Sequence, residues 1–336
     1  TEIYTEFRVG GFNQAAGCAF SLILVLLGAV LLLAETSARG RGRGARIGSG
    51  VARRPRPRPL GRARPAALSG VGLLVALGLG VPVGSIIYLM VRGGTSTLPA
   101  ATGLAGAAGY TFLYSAGAAL IATAAAVPVA LLAVRFPRRQ VHVLERSNML
   151  VLAVPGLVIA LSFVFFTEHY LNGSLYQTPW LLVLTYAVMF FPMAVVSVRA
   201  AVARAPVGLE EVGYSLGVPR HTVFWRVTLP LIGPGLAAAF CLVFLESATE
   251  LTATLVLIPT NAQTLATQFW ALQDNLSYAQ AAPYAGVMLL IAVVPSYVLG
   301  RWFARLPSWG GAAPTPVVAP GATEAAGPAS GTMATL

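Results

Sequence analysis

The stretch LEEVGYSLGVPRHTVFWRVTLP, residues 209–230, separates two strongly hydrophobic blocks and crowds carboxylates, Arg, His, Gly and Pro together. Pro206, just before it, suits the first turn of a helix, because a proline has no N–H to leave unpaired there. Glu210 and Glu211 then favour the positive, amino-terminal end of that helix. The start of the stretch therefore predicts a short helix that lies outside the membrane.

The rest of the same stretch predicts a sharp bend and a second helix. Gly217 suits the left-handed backbone conformation that commonly ends a helix. Pro219 can open the next helix, and we expect Leu229–Pro230 to stop that helix before the following apolar run. The stretch is thus predicted to fold as two short helices joined by a bend.

The remainder of the chain has the composition of a membrane protein. Of its 336 residues, 57% are hydrophobic and 10% are charged, and the mean hydropathy is +0.75. Only helices and closed barrels satisfy their backbone polar groups inside a bilayer, and the long apolar runs here indicate helices. We predict an all-α integral membrane protein, a polytopic helix bundle of about seven spans, over residues 15–34, 68–91, 110–134, 148–170, 180–199, 233–258 and 281–304.

The basic residues indicate which loops face the cytoplasm. All 22 of them are Arg, and cytoplasmic loops carry an excess of basic residues near the ends of the spans. Arg recurs in the linker 36–66, in 135–147 and in 200–230, whereas the segments on the opposite side of the spans hold only Arg8 and Arg92. The quoted stretch is therefore predicted to lie in the cytoplasm.

Several kinds of chemistry find no support in the residue types. The chain has no Lys, which a Walker A phosphate loop requires, so we expect no ATP site and no other cofactor in the chain itself. Its three His fit no metal-ligand spacing, and Cys18 and Cys241 lie in apolar runs, as small buried hydrophobes do. The linker 36–66 lacks aromatic residues to stack on bases, so contact with anionic lipid or a spacer role is favoured over nucleic-acid binding.

Two carboxylates lie inside an apolar run, where charge is expensive. Glu246 and Glu250 are four residues apart in the span 233–258, which places them on one face of a helix. One interpretation is that this face, with Thr254 beyond it, lines a translocation route and attracts a cation. The other is that the carboxylates hold neighbouring helices together through Ser, Thr or backbone groups. Both interpretations place the side chains in the interior.

The polar stretch resembles the cytoplasmic EAA loop of binding-protein-dependent ABC importer permeases. That loop has Glu-Ala-Ala, three residues, Gly, nine residues, an aliphatic residue, any residue and Leu-Pro. Val212 and Gly213 stand where the family usually has Ala, and both are small or moderate in size. The positions that match without a gap are Glu211, Gly217, Val227, Leu229 and Pro230.

The resemblance implies a type I ABC importer transmembrane domain in the bacterial plasma membrane. In that family the loop docks into a groove on an ATPase subunit, ATP and Mg²⁺ are held by a pair of such subunits, and an extracytoplasmic binding protein delivers the solute. Glu211 would bond the helix ends, and the apolar contact would come from Leu216, Val218, Val223 and Phe224. The coupling loop then consists of Glu210, Glu211, Gly213, Leu216, Gly217, Val218, Phe224, Val227, Leu229 and Pro230.

The last third of the chain resembles the fused permeases of the ferric-iron importer type. This resemblance implies ferric iron as the solute, with thiamine, phosphonate or polyamine as alternatives among related permeases. From another class, a gradient-driven secondary transporter that uses Glu246 and Glu250 would need no ATPase. The residues that carry the resemblance are ELTATL at 250–255, Pro259, QTLATQ at 263–268 and AAP at 281–283.

An internal repeat sets the predicted domain boundaries. Shifting the chain by 266 residues, so that Thr1 meets Thr267, aligns its start with its last span, and the matches include polar Thr, Gln and Arg positions. We expect the back part of a fused, duplicated permease. Its predicted parts are the last span of a first copy (1–36), an Arg-, Pro- and Gly-rich cytoplasmic linker (37–67), a six-span permease domain (68–306) with the coupling loop 206–230, and a disordered tail (307–336).

Overall fold

The computed structural model describes residues 61–94, 98–136 and 147–305, and seven helical residues between positions 19 and 30. Every regular element in these ranges is a helix, so the predicted all-α class is confirmed. In chain order the helices are α1 (Arg64–Gly93), α2 (Ala101–Arg135), α3 (Gly156–Tyr170), α4 (Pro179–Arg204), α5 (Val207–Ser215), α6 (Arg220–Thr249), α7 (Thr252–Leu257), α8 (Leu265–Asp274) and α9 (Tyr278–Arg305).

Five of these helices, α1, α2, α4, α6 and α9, are long and apolar enough to cross a membrane. The segment Ser147–Ala153 together with α3 forms a sixth candidate, bent by 108°. These six correspond to six of the predicted spans. The other predicted span, 15–34, is described at only seven positions, and residues 37–60 of the predicted linker and the predicted tail 307–336 lie outside the described residues.

The centre of the bundle is formed by α2, α4 and α6. α2 turns small side chains toward its neighbours, and Ala118, Ala122, Ala126 and Ala130 are at most 1% exposed. Small residues let helix backbones approach closely in a membrane, where association depends on packing because lipid is as apolar as the side chains. α1, in contrast, has no buried residue. It contacts α9 through half-buried residues, and most of its remaining surface is left for lipid or for another chain.

α4 and α6 are in direct contact at Gly235. A Cβ added to Gly235 would lie 2.1 Å from the Cβ of Ala201, well inside the distance at which carbon atoms touch. Ala201 lies in the last turn of α4. This contact therefore fixes α6 against α4 close to the loop that joins them.

α6 runs from Arg220 to Thr249 as one span, so the predicted stop at Leu229–Pro230 is wrong. A wide π-helical turn, Phe224–Thr228, ends two residues before Pro230. In a regular helix the proline ring clashes with the carbonyl four residues earlier, and the wider turn gives that ring room. The second short helix of the prediction is instead the beginning of a membrane span.

The predicted span 233–258 is two helices and not one. α6 ends at Thr249, Glu250 is extended (φ −70°, ψ 124°), and α7 begins at Thr252. The Glu250 carboxylate stabilises this break, because its Oε1 accepts hydrogen bonds from the Ala253 N–H at 3.1 Å and from the Thr252 hydroxyl at 2.6 Å. The prediction that Glu246 and Glu250 lie within one continuous span is therefore wrong, because Glu250 is the C-cap residue of α6 and its carboxylate bonds to the start of α7.

Candidate functional site

The candidate site is the loop that joins α4 to α6 and contains α5. Pro206 precedes the first residue of α5 with an extended backbone (ψ 124°), and Pro219 precedes α6 in the same way (ψ 148°). Proline holds φ near the helical value and removes an N–H that would have no partner at a helix start. The two prolines thus separate α5 from the long helices on both sides.

The bend after α5 is a complete Schellman motif centred on Gly217. Gly217 has φ +76°, its N–H donates to the Tyr214 carbonyl at 3.0 Å, and the Val218 N–H donates to the Gly213 carbonyl at 3.1 Å. Residues with a Cβ are strained at this φ. The predicted left-handed bend at Gly217 is confirmed.

The two arms of the bend pack closely at Gly213. A Cβ added to Gly213 would lie 2.9 Å from a methyl carbon of Val223 in the first turn of α6. Val223 is 1% exposed, so it packs inside the loop and cannot reach another protein. The predicted role of Val223 in the contact with a partner is wrong for this reason, and Gly213 instead allows α5 to lie against α6.

Glu210 ties α5 to two spans of the bundle. Its Oε1 lies 2.7 Å from Nη2 of Arg135, at the end of α2, and also accepts a hydrogen bond from the Thr228 hydroxyl of α6 at 3.2 Å. The Arg135 guanidinium also donates to the Ala205 carbonyl at 3.4 Å. The two charged side chains are only 12–13% exposed, so solvent screens this ion pair less than it screens one on an open surface.

The sequence did not indicate this connection. On sequence alone, Arg135 indicates only the cytoplasmic side, and Thr228 occupies an unspecified position of the motif. Arg135 is 75 residues from Glu210 in the sequence, and no local pattern pairs them. A basic residue at the last turn of a span is the one signal that could have suggested a partner.

Exposed residues of α5, together with Leu216 directly after it, are largely apolar and are called here the α5 surface. Leu216 is 76% exposed and Val212 is 56% exposed, although both are aliphatic. Glu211, next to the ion-paired Glu210, is exposed as well. The full α5 surface consists of Leu209, Glu211, Val212, Tyr214 and Leu216.

The remaining predicted loop residues line the base of the loop. Val218, Phe224, Val227 and Leu229 are half-buried, and Pro230 is exposed. The Phe224 ring packs edge-on against the ring of Trp225, which is 64% exposed. Leu216 is thus the most accessible of the predicted apolar contacts.

The three residues predicted for a translocation route have different surroundings. Glu250 stabilises the start of α7, as described above. Thr254 is fully buried, donates to the Glu250 carbonyl at 2.5 Å and is hydrogen-bonded to the Tyr186 hydroxyl of α4. Glu246 is exposed on α6. The structure therefore brings Glu250 and Thr254 together with Tyr186, which the sequence did not indicate, and leaves Glu246 apart.

Metal ions are held in proteins by groups of His, Cys, Asp and Glu side chains. Among the residues that the structure describes, no group of three or more His, Cys, Asp or Glu side chains is arranged to hold a metal ion. The free thiol of Cys241 is half-buried in α6.

The fold and this loop define a polytopic helical membrane protein with a short helix exposed between two spans. Residues 118–307 match the family of binding-protein-dependent transport system inner membrane components. The chain belongs to this family, and it is a multi-pass protein of the bacterial plasma membrane. The family predicted from the loop is thereby confirmed.

The relatives include iron and molybdenum permeases. The chain is 34% identical over 306 residues to the Fe(3+)-transport system permease protein FbpB 2 of Haemophilus influenzae, which covers 90% of this chain and 60% of that protein. It is 31% identical over 127 residues to the molybdenum transport system permease protein ModB of Escherichia coli (strain K12), covering 37% of this chain and 56% of that protein. The chain thus spans less than two thirds of the length of these relatives.

Among solved structures, one of the MetNI methionine ABC transporter in inward-facing conformations is similar to this chain. The identity is 16%, the TM-score is 0.46, and the match covers 65% of this chain and 97% of that one.

Proposed function

We propose that this chain is a permease subunit of an ATP-driven importer that receives its solute from an extracytoplasmic binding protein. The observation that carries the proposal is the α5 surface, where Leu216 and Val212 are 76% and 56% exposed. Exposed apolar side chains grouped on one short helix are typical of a protein contact. The family of the chain supports a partner that is another component of a transport system.

The partner that we assign to the α5 surface is a pair of ABC ATPase subunits. ATP and Mg²⁺ belong to those subunits, and this chain contributes no phosphate loop because it has no Lys. A displacement of the ATPase moves α5, and the ion pair between Glu210 and Arg135 passes that displacement to α2. The loop acts as a lever on the bundle and changes which side of the membrane the route opens to.

Ferric iron is the solute that we propose. The iron permease FbpB 2 resembles this chain over 90% of its length, whereas ModB of Escherichia coli resembles it over 37%. The longer match supports iron over molybdate. In this proposal the binding protein supplies most of the specificity for the solute. The permease has to let the solute pass and does not have to be the sole source of that specificity.

The test is co-purification of the chain with the ABC ATPase of its own transport system, as wild type and as Leu216→Asp. A carboxylate at the most exposed apolar position of the α5 surface has to be desolvated in an apolar groove, at a cost on the order of 2–4 kcal/mol. That cost corresponds to a loss of roughly 30-fold or more in affinity. We expect wild type to retain the ATPase and Leu216→Asp to lose it.

Leu216→Met is the matched control, because it keeps the apolar character and the size of the side chain. We expect it to bind the ATPase like wild type. Insertion of all three proteins in the membrane is checked by extraction and gel filtration. Equal ATPase binding by Leu216→Asp and wild type would contradict the proposed docking surface.

A further inference from the structure

The two carboxylates of the predicted route have different roles in the structure. Glu250 is engaged, because its Oε1 accepts two hydrogen bonds at the start of α7. Glu246 is exposed, and its carboxylate makes no hydrogen bond or ion pair within the described ranges. Of the two carboxylates, Glu246 is therefore the one without a bonding partner in the described part of the chain.

The depth of Glu246 in the membrane follows from its neighbours. Tyr186 is seven residues from the outer end of α4 at Pro179, or about 10 Å at 1.5 Å per residue. The bonds from Tyr186 to Thr254 and from Thr254 to Glu250 place Glu250 at the same level. Glu246 is one helical turn further in, at about 16 Å, which is near the centre of a hydrocarbon core of about 30 Å.

A carboxylate at this depth does not face lipid. The cost of a charged side chain at the centre of a bilayer is several kcal/mol, and such residues turn to a protein interior or to water. Glu246 lies on one side of α6 together with Leu242 and Thr249, at spacings of four and three residues, and both of these are exposed too. Water or polar groups of another protein unit must therefore lie against this stripe of α6.

We propose that Glu246 lines a water-filled solute route between this chain and a second permease unit, and that it gives the route a preference for cations over oxyanions. Low-dielectric walls focus the field of a single carboxylate along a narrow route, which concentrates cations and repels anions. The inference rests on the proposed transport function, and it names the charge class of the solute. It also separates Glu246, which faces the route, from Glu250, which stabilises a helix start.

The experiment measures thiol labelling in the transporter assembled with its ATPase and binding protein. Cys18 and Cys241 are first replaced by Ala, and Thr249→Cys then reports on the stripe with Glu246 intact. The reagents are a cationic and an anionic methanethiosulfonate of matched size, applied with and without ATP. The control is Leu290→Cys at mid-depth of α9, where the wild-type side chain is 59% exposed and, in this proposal, faces lipid.

Two results are expected. In at least one nucleotide state, the thiol of Thr249→Cys reacts with the cationic reagent about tenfold or more faster than the thiol of Leu290→Cys, because thiols react as thiolates in water. Adding Glu246→Gln then lowers the ratio of cationic to anionic labelling by about tenfold, since the focused charge is removed.

Two results would overturn the inference. Equal labelling of Thr249→Cys and Leu290→Cys in every nucleotide state shows that the stripe is not in contact with water. A labelling ratio that Glu246→Gln leaves unchanged shows that its charge does not act on the route. Labelling is measured only after co-purification has shown that the ATPase is bound, so a failure of this inference is distinguishable from a failure of the docking surface.

Discussion

At the scale of single residues, Glu210 and Glu211 show how adjacent carboxylates take different roles. Successive residues of a helix point about 100° apart, so only one of the two can turn toward the bundle. Glu210 does so and meets Arg135 and Thr228, whereas Glu211 is exposed. Glu211 occupies the position of the EAA motif, whereas Glu210 makes the contacts that join α5 to α2 and α6.

Reversal of the Arg135–Glu210 pair tests that connection. Arg135→Gln leaves the Glu210 carboxylate half-buried without its cation, and we expect a loss of about 1–3 kcal/mol in stability. Glu210→Gln is expected to have a similar effect, and the double exchange Arg135→Glu with Glu210→Arg is expected to recover part of it. Thermal unfolding in detergent measures stability, and binding-protein-stimulated ATPase activity measures coupling.

The single variants should bind the ATPase like wild type but respond less to the binding protein, because the docking surface is intact and its connection to α2 is broken. Arg204→Gln is the control, since Arg204 is exposed at the end of α4. Full stimulation in Arg135→Gln would show that the displacement reaches the bundle through α6 alone.

At the scale of elements, the direct connection of the loop to α6 is the main departure from the predicted fold. Because the π-helical turn Phe224–Thr228 accommodates Pro230, no hinge separates the bend at Gly217 from the span. The contact of Gly235 with Ala201 then holds the first part of the span against α4. In the proposed mechanism, a displacement of α5 therefore reaches packed helices within a few turns.

Gly235→Ala tests this contact. The added methyl group would lie 2.1 Å from the Ala201 Cβ, so α4 and α6 have to separate, at a cost of about 1–3 kcal/mol. Gly233→Ala on the same helix is the matched control, because a Cβ there meets nothing within 4 Å. Thermal unfolding in detergent should show a lower midpoint for Gly235→Ala alone, and equal midpoints would contradict the contact.

At the scale of the whole molecule, α2 connects the loop that contains α5 to the segment that begins α8. Arg135 at its carboxyl end bonds to Glu210, and the Thr111 hydroxyl accepts a hydrogen bond from the Leu265 N–H at the start of α8. These residues are 24 positions apart, which is about 36 Å along a helix. The loop that contains α5 and the start of α8 are thus attached to one helix.

The proposed function predicts that transport depends on ATP and not on an ion gradient. In proteoliposomes that contain the chain, its ATPase and its binding protein, we expect ferric uptake to stop when ATP is omitted and to persist when a protonophore abolishes the proton gradient. The physical reason is that Glu250, one of the two candidate coupling carboxylates, is held at a helix start by Ala253 and Thr252. Uptake without ATP would favour a secondary transporter.

The predictions that held rest on local rules. The apolar runs predicted the spans because a span is defined by its own length and hydropathy. Gly217 and the two flanking prolines predicted the bend because their allowed backbone angles depend only on the residue itself. The predictions that failed also came from local rules, at Leu229–Pro230 and in the span 233–258, where neighbouring groups changed the outcome.

The sequence by itself determined the class, the spans and the bend of this protein, because hydropathy, charge placement and backbone preference are properties of short segments. Only the tertiary structure decided which groups meet. The pairing of Glu210 with Arg135, the burial of Val223 against Gly213 and the separation of Glu246 from Glu250 depend on how helices pack and where they break. Such contacts join residues far apart in the chain or change the path of the backbone, so no local pattern encodes them.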